Sequence, residues 1–239
     1  MSTALITGAS GGIGYELAKL FARDHQNLVL VARSGDQLAR VATELQAYGV
    51  TVKTVVLDLA LPVAPKFLYD QLQRESIAID ILVNNAGFGA FGDFAQMPEA
   101  EILGQIQLNI TALTELTRLF LPPMLSRHNG RVMNVASTAA FQPGPLMAVY
   151  YATKAYVLSF SEAIANELHK SGVTVTCFCP GPCTVTWYRR PSPAPGQLSV
   201  TAPDRGWART RVTAGTGGQP SGYFHSSNHC RGSRGTIRG

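Results

Sequence analysis

Short runs of apolar, mostly β-branched residues recur along most of the chain and alternate with longer amphipathic segments. The six runs, which we predict to be strands, lie at residues 4–7, 28–32, 52–57, 80–84, 131–136 and 173–179. Their hydrophobicity is continuous, which is typical of strands buried on both faces of a parallel sheet. The intervening segments have helical periodicity, for example 12–24 and 35–48, and Ser34 with Gln37 is spaced for a capping box at the second helix. The pattern predicts a doubly wound, Rossmann-like α/β fold with helices on both faces and a ligand site at the carboxyl ends of the strands.

The last 53 residues follow a different pattern. After Thr186 there is no Lys and no Glu, only four residues are Ile, Leu or Val, and Gly, Ser, Pro, Thr and Arg dominate. We therefore predict a domain at 1–186 and a tail at 187–239 that is disordered, with no seventh strand. Three interpretations of the tail stay open: a natural continuation replaced by a frameshift in a GC-rich gene, a disordered basic arm, or an unusual extension.

Charge separates the same two regions. Residues 1–186 contain 12 basic and 14 acidic side chains, a net charge of −2, whereas 187–239 contain 8 Arg and one Asp, a net charge of +7. The two values give the +5 of the whole chain, so its pI near 9.2 reflects the tail. Binding to nucleic acid would depend on the tail alone, and we do not expect it.

Other classes of protein are disfavoured by the sequence. No apolar run approaches the ~18 residues that span a bilayer, and a predicted strand follows Met1 almost directly, leaving no room for a signal peptide. We therefore expect a cytoplasmic protein without membrane contact. Cys177, Cys179, Cys183 and Cys230 lack a regular ligand spacing, so we interpret them as structural thiols and expect no metal site.

A glycine-rich turn, TGASGGIG at residues 7–14, follows the first predicted strand and opens the first helix. Gly8 permits a tight turn, Gly12 lets the backbone approach a pyrophosphate, and Gly14 allows close packing of the helix on the sheet. The spacing G-x-x-x-G-x-G differs from the common G-x-G-x-x-G fingerprint, and a glycine-rich turn can be merely structural. Because of its position between strand and helix, we interpret it as a dinucleotide site.

The residue that ends the second strand distinguishes the two nicotinamide dinucleotides. An acidic residue there would bond the ribose hydroxyls and repel a 2′-phosphate. This chain has Arg33, whose guanidinium can pair bidentately with a phosphate, and Ser34 can add a hydroxyl. The alternative is a solvated arginine at the helix entry. The sequence thus predicts NADP(H) rather than NAD(H).

The stretch VYYATKAYVLSF, residues 149–160, places two tyrosines before a lysine in one predicted helix. Tyr150 and Lys154 are four residues apart and share a face, whereas Tyr151 points about 100° away and is expected to be core. An ammonium near a phenol favours the phenolate and lowers the pKa of the tyrosine toward the range useful for acid–base work. The alternative for the pair is a packed ring beside a snorkelling amine.

Further candidates lie at the same sheet edge. Ser137 follows the fifth strand, and NNAG at 84–87 ends the fourth. Asn109 lies within a helical pattern and would by itself suggest little. Together with TGASGGIG, LDL, YYATK and PG at 180–181, these motifs resemble the short-chain dehydrogenase/reductase superfamily, especially its bacterial NADP-preferring members. The resemblance runs from Thr3 to about Pro182, after which neither the family's lid nor its C-terminal strand can be found.

The resemblance implies roles for single residues. Tyr150 would be the general acid in reduction and the general base in oxidation, and Lys154 would lower its pKa and bond the nicotinamide ribose. Ser137 would orient the substrate oxygen, Asn109 would hold a water that links Lys154 to solvent, and Asp58 would bond the adenine amine. The implied cofactor contacts are Gly8, Ser10, Gly12, Ile13, Gly14, Arg33, Asp58, Leu59, Asn85, Ala86, Gly87, Tyr150, Lys154, Pro180 and Gly181.

The implied activity is NADP-dependent hydride transfer between the nicotinamide and a carbonyl or secondary alcohol, in a homodimer or homotetramer that binds a small-molecule substrate. The alternative function is a non-catalytic nucleotide-binding remnant, with a C-terminus altered by frameshift or serving as a basic interaction arm. Apolar loops at 87–94 and 139–147 fit a hydrophobic substrate or simple loop packing equally.

Overall fold

The computed structural model describes residues 1–181 and three two-residue strands beyond them. The strands are β1 (Thr3–Thr7), β2 (Asn27–Ala32), β3 (Val52–Val56), β4 (Ile81–Asn84), β5 (Gly89–Ala90), β6 (Gly130–Val135), β7 (Val173–Phe178), β8 (Tyr188–Arg189), β9 (Thr210–Arg211) and β10 (Tyr223–Phe224). The helices are α1 (Gly12–Arg23), α2 (Gly35–Gln46), α3 (Ala64–Arg74), α4 (Glu99–Ile106), α5 (Leu113–Ser126) and α6 (Ala148–Glu167). A π-helical segment, Gln107–Ala112, joins α4 to α5, and a 3-10 turn, Thr138–Phe141, precedes α6.

Six parallel strands form the central sheet in the order β3-β2-β1-β4-β6-β7. The chain builds the sheet outward from β1 through β2 to β3, then returns to the other side of β1 and continues through β4, β6 and β7. The direction of winding therefore reverses between β1 and β4, where such a sheet opens a crevice for a ligand. The predicted doubly wound α/β fold is confirmed, and all six predicted strands are present.

Apolar layers cover both faces of this sheet. On one face Leu5, Val29 and Leu82 pack with side chains of α3 and α5, including Leu68 and Phe120. On the other face lies a second layer, contributed by β1, β2, β4, α1 and α2; it includes Ala4, Ile6, Leu28, Leu30, Val83, Ala18, Leu38 and Leu45. Successive strand residues point to opposite faces, so burial of both faces explains the continuous hydrophobicity of the predicted strands.

The predicted capping box is wrong. Ser34 is the N-cap of α2, but its side chain makes no capping hydrogen bond; only its carbonyl oxygen is engaged, by the first ordinary helix bond from the N–H of Leu38. Ser34 and Gln37 both line a cleft at the carboxyl edge of the sheet. Both residues follow β2 closely in the chain, so they lie at the edge of the sheet where the cleft opens.

The predictions for the tail fall largely outside the described residues. Of the range 187–239, only the backbones of β8, β9 and β10 are described; β8 pairs in parallel with β5, and β9 pairs antiparallel with β10. Within the described part of the chain, neither pair extends the six-stranded sheet beyond β7. The boundary at 186 and the disorder of the tail stay predictions. Among the described helices, none combines the length and the apolar character needed to cross a bilayer.

Candidate active site

The turn between β1 and α1 leaves no space for a side chain at Gly14. Gly8 and Gly12 have positive φ angles of 67° and 58°, which suit glycine. A Cβ added at Gly14 would lie 2.3 Å from the carbonyl oxygen of Gly8 and 2.5 Å from Nδ2 of Asn85. The predicted close packing at Gly14 is confirmed, and the contacts are made by the turn's own backbone and by the residue that follows β4.

The first turn of α1 offers unpaired backbone donors to a cleft. Gly11 is the N-cap and supplies no side-chain cap, and the first amides of a helix have no intrahelical acceptor. Gly8, Gly12 and Ile13 line this cleft, which has a volume of about 530 Å³. Backbone N–H groups at a helix N-terminus suit an anion, so these residues fit the phosphates of a dinucleotide.

A side-chain brace joins the ends of β1 and β4 below the turn. Thr7 Oγ1 accepts hydrogen bonds from the N–H groups of Asn85 and Ala86, both at 2.9 Å. Asn85 Nδ2 in turn donates to the carbonyl oxygens of Thr7 and Gly8, at 2.8 and 3.3 Å. Thr7 opens the glycine-rich motif found in the sequence, but no role was predicted for it; the signal for one is a hydroxyl at the last position of a buried strand. The brace fixes the crevice at which the winding of the sheet reverses.

Arg33 and Asp58 meet at the mouth of the cleft. Nη1 of Arg33 lies 3.9 Å from Oδ2 of Asp58; the arginine side chain is largely exposed to solvent, whereas that of Asp58 is partly buried. Asp58 Oδ1 also accepts a hydrogen bond of 2.9 Å from the N–H of Ala60. Both residues line an adjoining cleft of about 580 Å³, together with Leu59 and Ser34. The positions fit the expected phosphate and adenine contacts, which stay predictions.

Helix α6 carries Tyr150 and Lys154 to the other end of the first cleft. Both side chains are 6% exposed, and Nζ of Lys154 lies 5.8 Å from the centroid of the Tyr150 ring, so the predicted shared face is confirmed. Lys154 Nζ also donates a hydrogen bond of 2.8 Å to the carbonyl oxygen of Val135, the last residue of β6. The lysine is therefore held by the sheet as well as by its own helix.

The expectation that Tyr151 is core is wrong. Its side chain is only partly buried, and its ring meets the Tyr150 ring edge to face at 6.1 Å and 77°. A Cβ added at Gly144 would lie 2.3 Å from the Tyr151 ring, so the ring covers the loop before α6. The rotation of about 100° per residue carries Tyr151 from the cleft face onto this loop.

Burial makes the charged form of Lys154 less stable. Loss of solvation lowers the pKa of Lys154 from 10.5 to about 8, because the ammonium is deprived of water. Two buried free thiols, Cys177 and Cys179, lie near it with their sulfur atoms 3.8 Å apart. Their burial fits the interpretation as structural thiols, whereas Cys183 and Cys230 lie outside the described residues.

Ser137 is fixed where β6 meets the 3-10 turn. It caps this turn, and its Oγ accepts a hydrogen bond of 3.1 Å from the N–H of Ala139. The next residue, Thr138, donates its N–H to the carbonyl oxygen of Pro180 at 3.0 Å, which ties the turn to the chain after β7. Ser137 lines the same cleft as Tyr150 and Lys154, so the structure brings these three predicted residues together.

Asn109 lies behind the cleft wall, in the π-helical segment. Its Oδ1 accepts from the N–H of Phe88 at 3.1 Å, and its Nδ2 donates to the carbonyl oxygen of Phe88 at 2.9 Å and to Thr153 Oγ1 at 3.1 Å. A Cβ added at Gly87 would lie 2.9 Å from Asn109 Oδ1 and 3.5 Å from Lys154 Nζ. The amide thus contacts protein groups on three sides, and its expected role in holding a water stays a prediction.

The π-helical geometry was not foreseen from the sequence, where the only signal was an amide inside a helical pattern. Of the predicted site residues, Gly14 and Asn109 support the cleft walls from behind. The predicted residues that line the two clefts are Gly8, Ser10, Gly12, Ile13, Arg33, Asp58, Leu59, Asn85, Ala86, Gly87, Ser137, Tyr150, Lys154, Pro180 and Gly181. Within the described part of the chain, no group of three or more His, Cys, Asp or Glu side chains is placed to hold a metal ion.

Comparison with known proteins bears on this site. The ketoacyl reductase HetN of Nostoc sp. is 36% identical over 179 residues, which are 75% of this chain and 62% of that protein. This chain thus spans less than two thirds of the length of that relative. A short-chain dehydrogenase of Sphingobium yanoikuyae, solved in complex with NADPH, is 40% identical with a TM-score of 0.72, over 76% of this chain and 71% of that structure.

A second solved structure extends the comparison. The bulky-bulky ketone specific alcohol dehydrogenase of Comamonas testosteroni is 36% identical with a TM-score of 0.73, over 77% of this chain and 74% of that structure. The family profile described as short chain dehydrogenase matches residues 2–194, more than three quarters of the sequence. The chain therefore belongs to the short-chain dehydrogenase family.

Proposed function

We propose that this protein is an NADP(H)-dependent oxidoreductase that interconverts a carbonyl compound and a secondary alcohol. The observation that carries the proposal is the common cleft: the N-terminus of α1 and Arg33 line the same cavity as Ser137, Tyr150 and Lys154. Relatives named as reductases and dehydrogenases support the reaction class. The proposal places the activity in residues 1–186 and assigns no catalytic role to 187–239.

The phosphate end supplies binding and orientation. The N–H groups at the start of α1 and the positive end of its dipole attract the pyrophosphate. Arg33 can pair with a 2′-phosphate that enters beside it, while Asp58 holds the guanidinium at the mouth of the cleft. The similar short-chain dehydrogenase of Sphingobium yanoikuyae, solved in complex with NADPH, supports NADP(H) as the cofactor. Bound NADPH supplies the hydride, and the side chains of this chain supply the remaining chemistry.

The other end supplies proton transfer and polarisation. Tyr150 donates the proton of its hydroxyl to the developing alkoxide in reduction, and takes it back in oxidation. The ammonium of Lys154 favours the phenolate form of the tyrosine and therefore eases loss of that proton. Ser137 offers its hydroxyl to the substrate oxygen and adds to the polarisation of the C=O bond. Val135 keeps Lys154 in place through the hydrogen bond to its carbonyl oxygen.

The substrate class is inferred from the loops beside Tyr150. The loops that follow β4 and precede α6 are joined by a hydrogen bond of 2.8 Å from the N–H of Gly92 to the carbonyl oxygen of Leu146. Phe94, Phe141 and Leu146 are 60%, 44% and 45% exposed on these loops. Exposed apolar side chains on loops that adjoin the proposed catalytic tyrosine favour a ligand with apolar substituents. We infer a ketone or aldehyde of this kind.

The expected homo-oligomer belongs to the same proposal. On neighbouring helices α4 and α6, Leu103, Ile106 and Tyr156 are 54%, 38% and 37% exposed. An exposed apolar surface on adjacent helices is suited to contact with a second copy. Light scattering of the purified chain should give a mass of two or four subunits, and a monomer at micromolar concentration would remove this part of the proposal.

Titration with NADPH and NADH, followed by a reductase assay, tests the proposed function. The fluorescence of the reduced nucleotide or a thermal shift should report tighter binding of NADPH than of NADH. Absorbance at 340 nm should then fall when NADPH is mixed with acetophenone or benzil, and fall more slowly with acetone. Equal affinity for the two nucleotides would contradict the cofactor assignment, and binding without reduction of any ketone would contradict the reaction.

A further inference from the structure

The buried hydroxyl of Thr153 joins three segments that carry the site. Thr153 is 1% exposed and lies between Tyr150 and Lys154 on α6. Its Oγ1 donates to the carbonyl oxygen of Tyr150 at 2.7 Å and accepts from Asn109 Nδ2 at 3.1 Å. Asn109 also bonds both backbone groups of Phe88. One hydroxyl thus connects α6, through the π-helical segment, to the loop after β4.

The same loop also packs against the ring of Tyr150. A Cβ added at Gly89 would lie 3.0 Å from Cδ2 of Tyr150, so the backbone of Gly89 packs against the ring. The neighbouring residue, Phe88, is the one that Asn109 holds. The carbonyl of Tyr150 is therefore fixed by Thr153, and its ring is bounded by a loop that depends on the same amide. A shift of the Asn109 amide would therefore disturb both the carbonyl of Tyr150 and the loop that borders its ring.

We propose that Thr153 is a positioning residue for proton transfer by Tyr150, through the hydroxyl that joins α6 to the Asn109 amide. Thr153 is absent from the linings of both clefts, and it acts through Asn109 and the backbone of Tyr150. Without the hydroxyl, one N–H of the buried Asn109 amide loses its acceptor, which is costly away from water. The inference rests on the proposed function, since it concerns the proton that Tyr150 transfers.

The chain contains a matched control at Thr117. This residue is 2% exposed, donates its hydroxyl to the carbonyl oxygen of Leu113 at 2.8 Å, and accepts from Asn84 Nδ2 at 3.0 Å. Both threonines therefore bond a helix carbonyl and a buried Asn amide. Thr117 lies on α5, bonds Asn84 at the end of β4, and makes neither of these hydrogen bonds to the helix that carries Tyr150. Replacing either threonine by valine removes one hydroxyl that donates one hydrogen bond and accepts another. Only the change at Thr153 lies beside Tyr150.

The test compares Thr153→Val, Thr153→Ser and Thr117→Val in the full chain, with NADPH and benzil as probes. We expect Thr153→Val to lower kcat about tenfold, because a small displacement of a catalytic group is enough for such a loss, with little change in KM for NADPH. Thr153→Ser keeps the hydroxyl and should restore most of the rate. Thr117→Val should lower the melting temperature as Thr153→Val does but keep kcat.

Three results would overturn the inference: an unchanged kcat in Thr153→Val, a Thr153→Ser variant as slow as Thr153→Val, or an equal loss of kcat in Thr117→Val. If the wild-type chain binds NADPH but reduces no probe ketone, the proposed function has failed, and amide hydrogen exchange then tests separately whether Thr153 holds the Asn109 amide against Phe88. The N–H of Phe88 should then exchange about tenfold faster in Thr153→Val than in the wild type or in Thr117→Val. Unchanged exchange at Phe88 would refute the proposed link from Thr153 through the Asn109 amide to Phe88.

Discussion

The two ends of the cleft are built by opposite means. The phosphate end is formed mainly by one contiguous segment, residues 7–14, and its binding groups are backbone amides of a glycine-rich turn. The chemical end gathers Ser137, Tyr150 and Lys154, supported by Asn109, from the end of β6, from α6 and from the π-helical segment. The first end is determined by local steric fit, whereas the second depends on contacts between distant parts of the chain. Cofactor binding and turnover should therefore be separable by mutation.

The largest expected effect is on the chemical end alone. Tyr150→Phe removes the proton donor and should lower kcat by about a hundredfold to ten-thousandfold, as is typical of loss of general acid–base catalysis. The NADPH dissociation constant should stay close to the wild-type value, because the phosphate end is untouched. Ketone reduction followed at 340 nm and NADPH fluorescence measure the two quantities. Tyr151→Phe is the matched control, and a Tyr150→Phe variant that retains most of its rate would refute the assignment.

The pH dependence of stability tests the burial of Lys154. Its pKa is about 8 in the folded chain and near 10.5 when unfolded, so below pH 8 the folded protein bears the cost of a buried charge. Between pH 8 and 10.5 the unfolded chain binds more protons, so the free energy of unfolding should rise with pH relative to Lys154→Met. The rise should reach about 3 kcal/mol at most. Urea denaturation at several pH values measures it, and parallel profiles of the two proteins would contradict the lowered pKa.

Crowding the glycine-rich turn should lower both the stability of the fold and the affinity for NADPH. In Gly14→Ala the added Cβ would lie 2.3 Å from the carbonyl oxygen of Gly8, so the turn or the helix must move. We expect a loss of about 1–3 kcal/mol in the free energy of unfolding, together with weaker NADPH binding. Gly11→Ala, which has no atom within 4 Å of the added Cβ, should lower the melting temperature less, since only the weaker N-cap preference of Ala acts there. A Gly14→Ala variant that melts and binds NADPH as the wild type does would show that the turn is more plastic than its geometry indicates.

The smallest effect concerns cofactor choice at the mouth of the cleft. Arg33→Ala should weaken NADPH binding about tenfold, since an exposed charge-assisted contact is lost, and should leave NADH binding unchanged. Arg40→Ala removes an exposed arginine within α2 and should alter neither affinity. Isothermal titration with both nucleotides gives the comparison. Parallel weakening of NADH and NADPH would show that Arg33 contacts something other than the 2′-phosphate.

The sequence by itself determined the sheet and the local elements of the site. Continuous apolar runs defined the six strands, because residues buried on both faces must be apolar whatever their partners. The glycines of residues 7–14 were identifiable because the required backbone angles and the lack of space are local properties. The spacing of Tyr150 and Lys154 sufficed to place them on one face, since helix geometry alone sets that relation.

Only the tertiary structure decided what these elements contact. The hydrogen bond from Lys154 to the carbonyl oxygen of Val135 and the lowered pKa of that lysine both arise from packing of α6 on the sheet. The brace of Thr7 and the Asn109 amide that meets Phe88 and Thr153 join residues far apart in the chain. Such contacts depend on burial and on the relative placement of whole elements, which residue type and spacing along one chain do not fix.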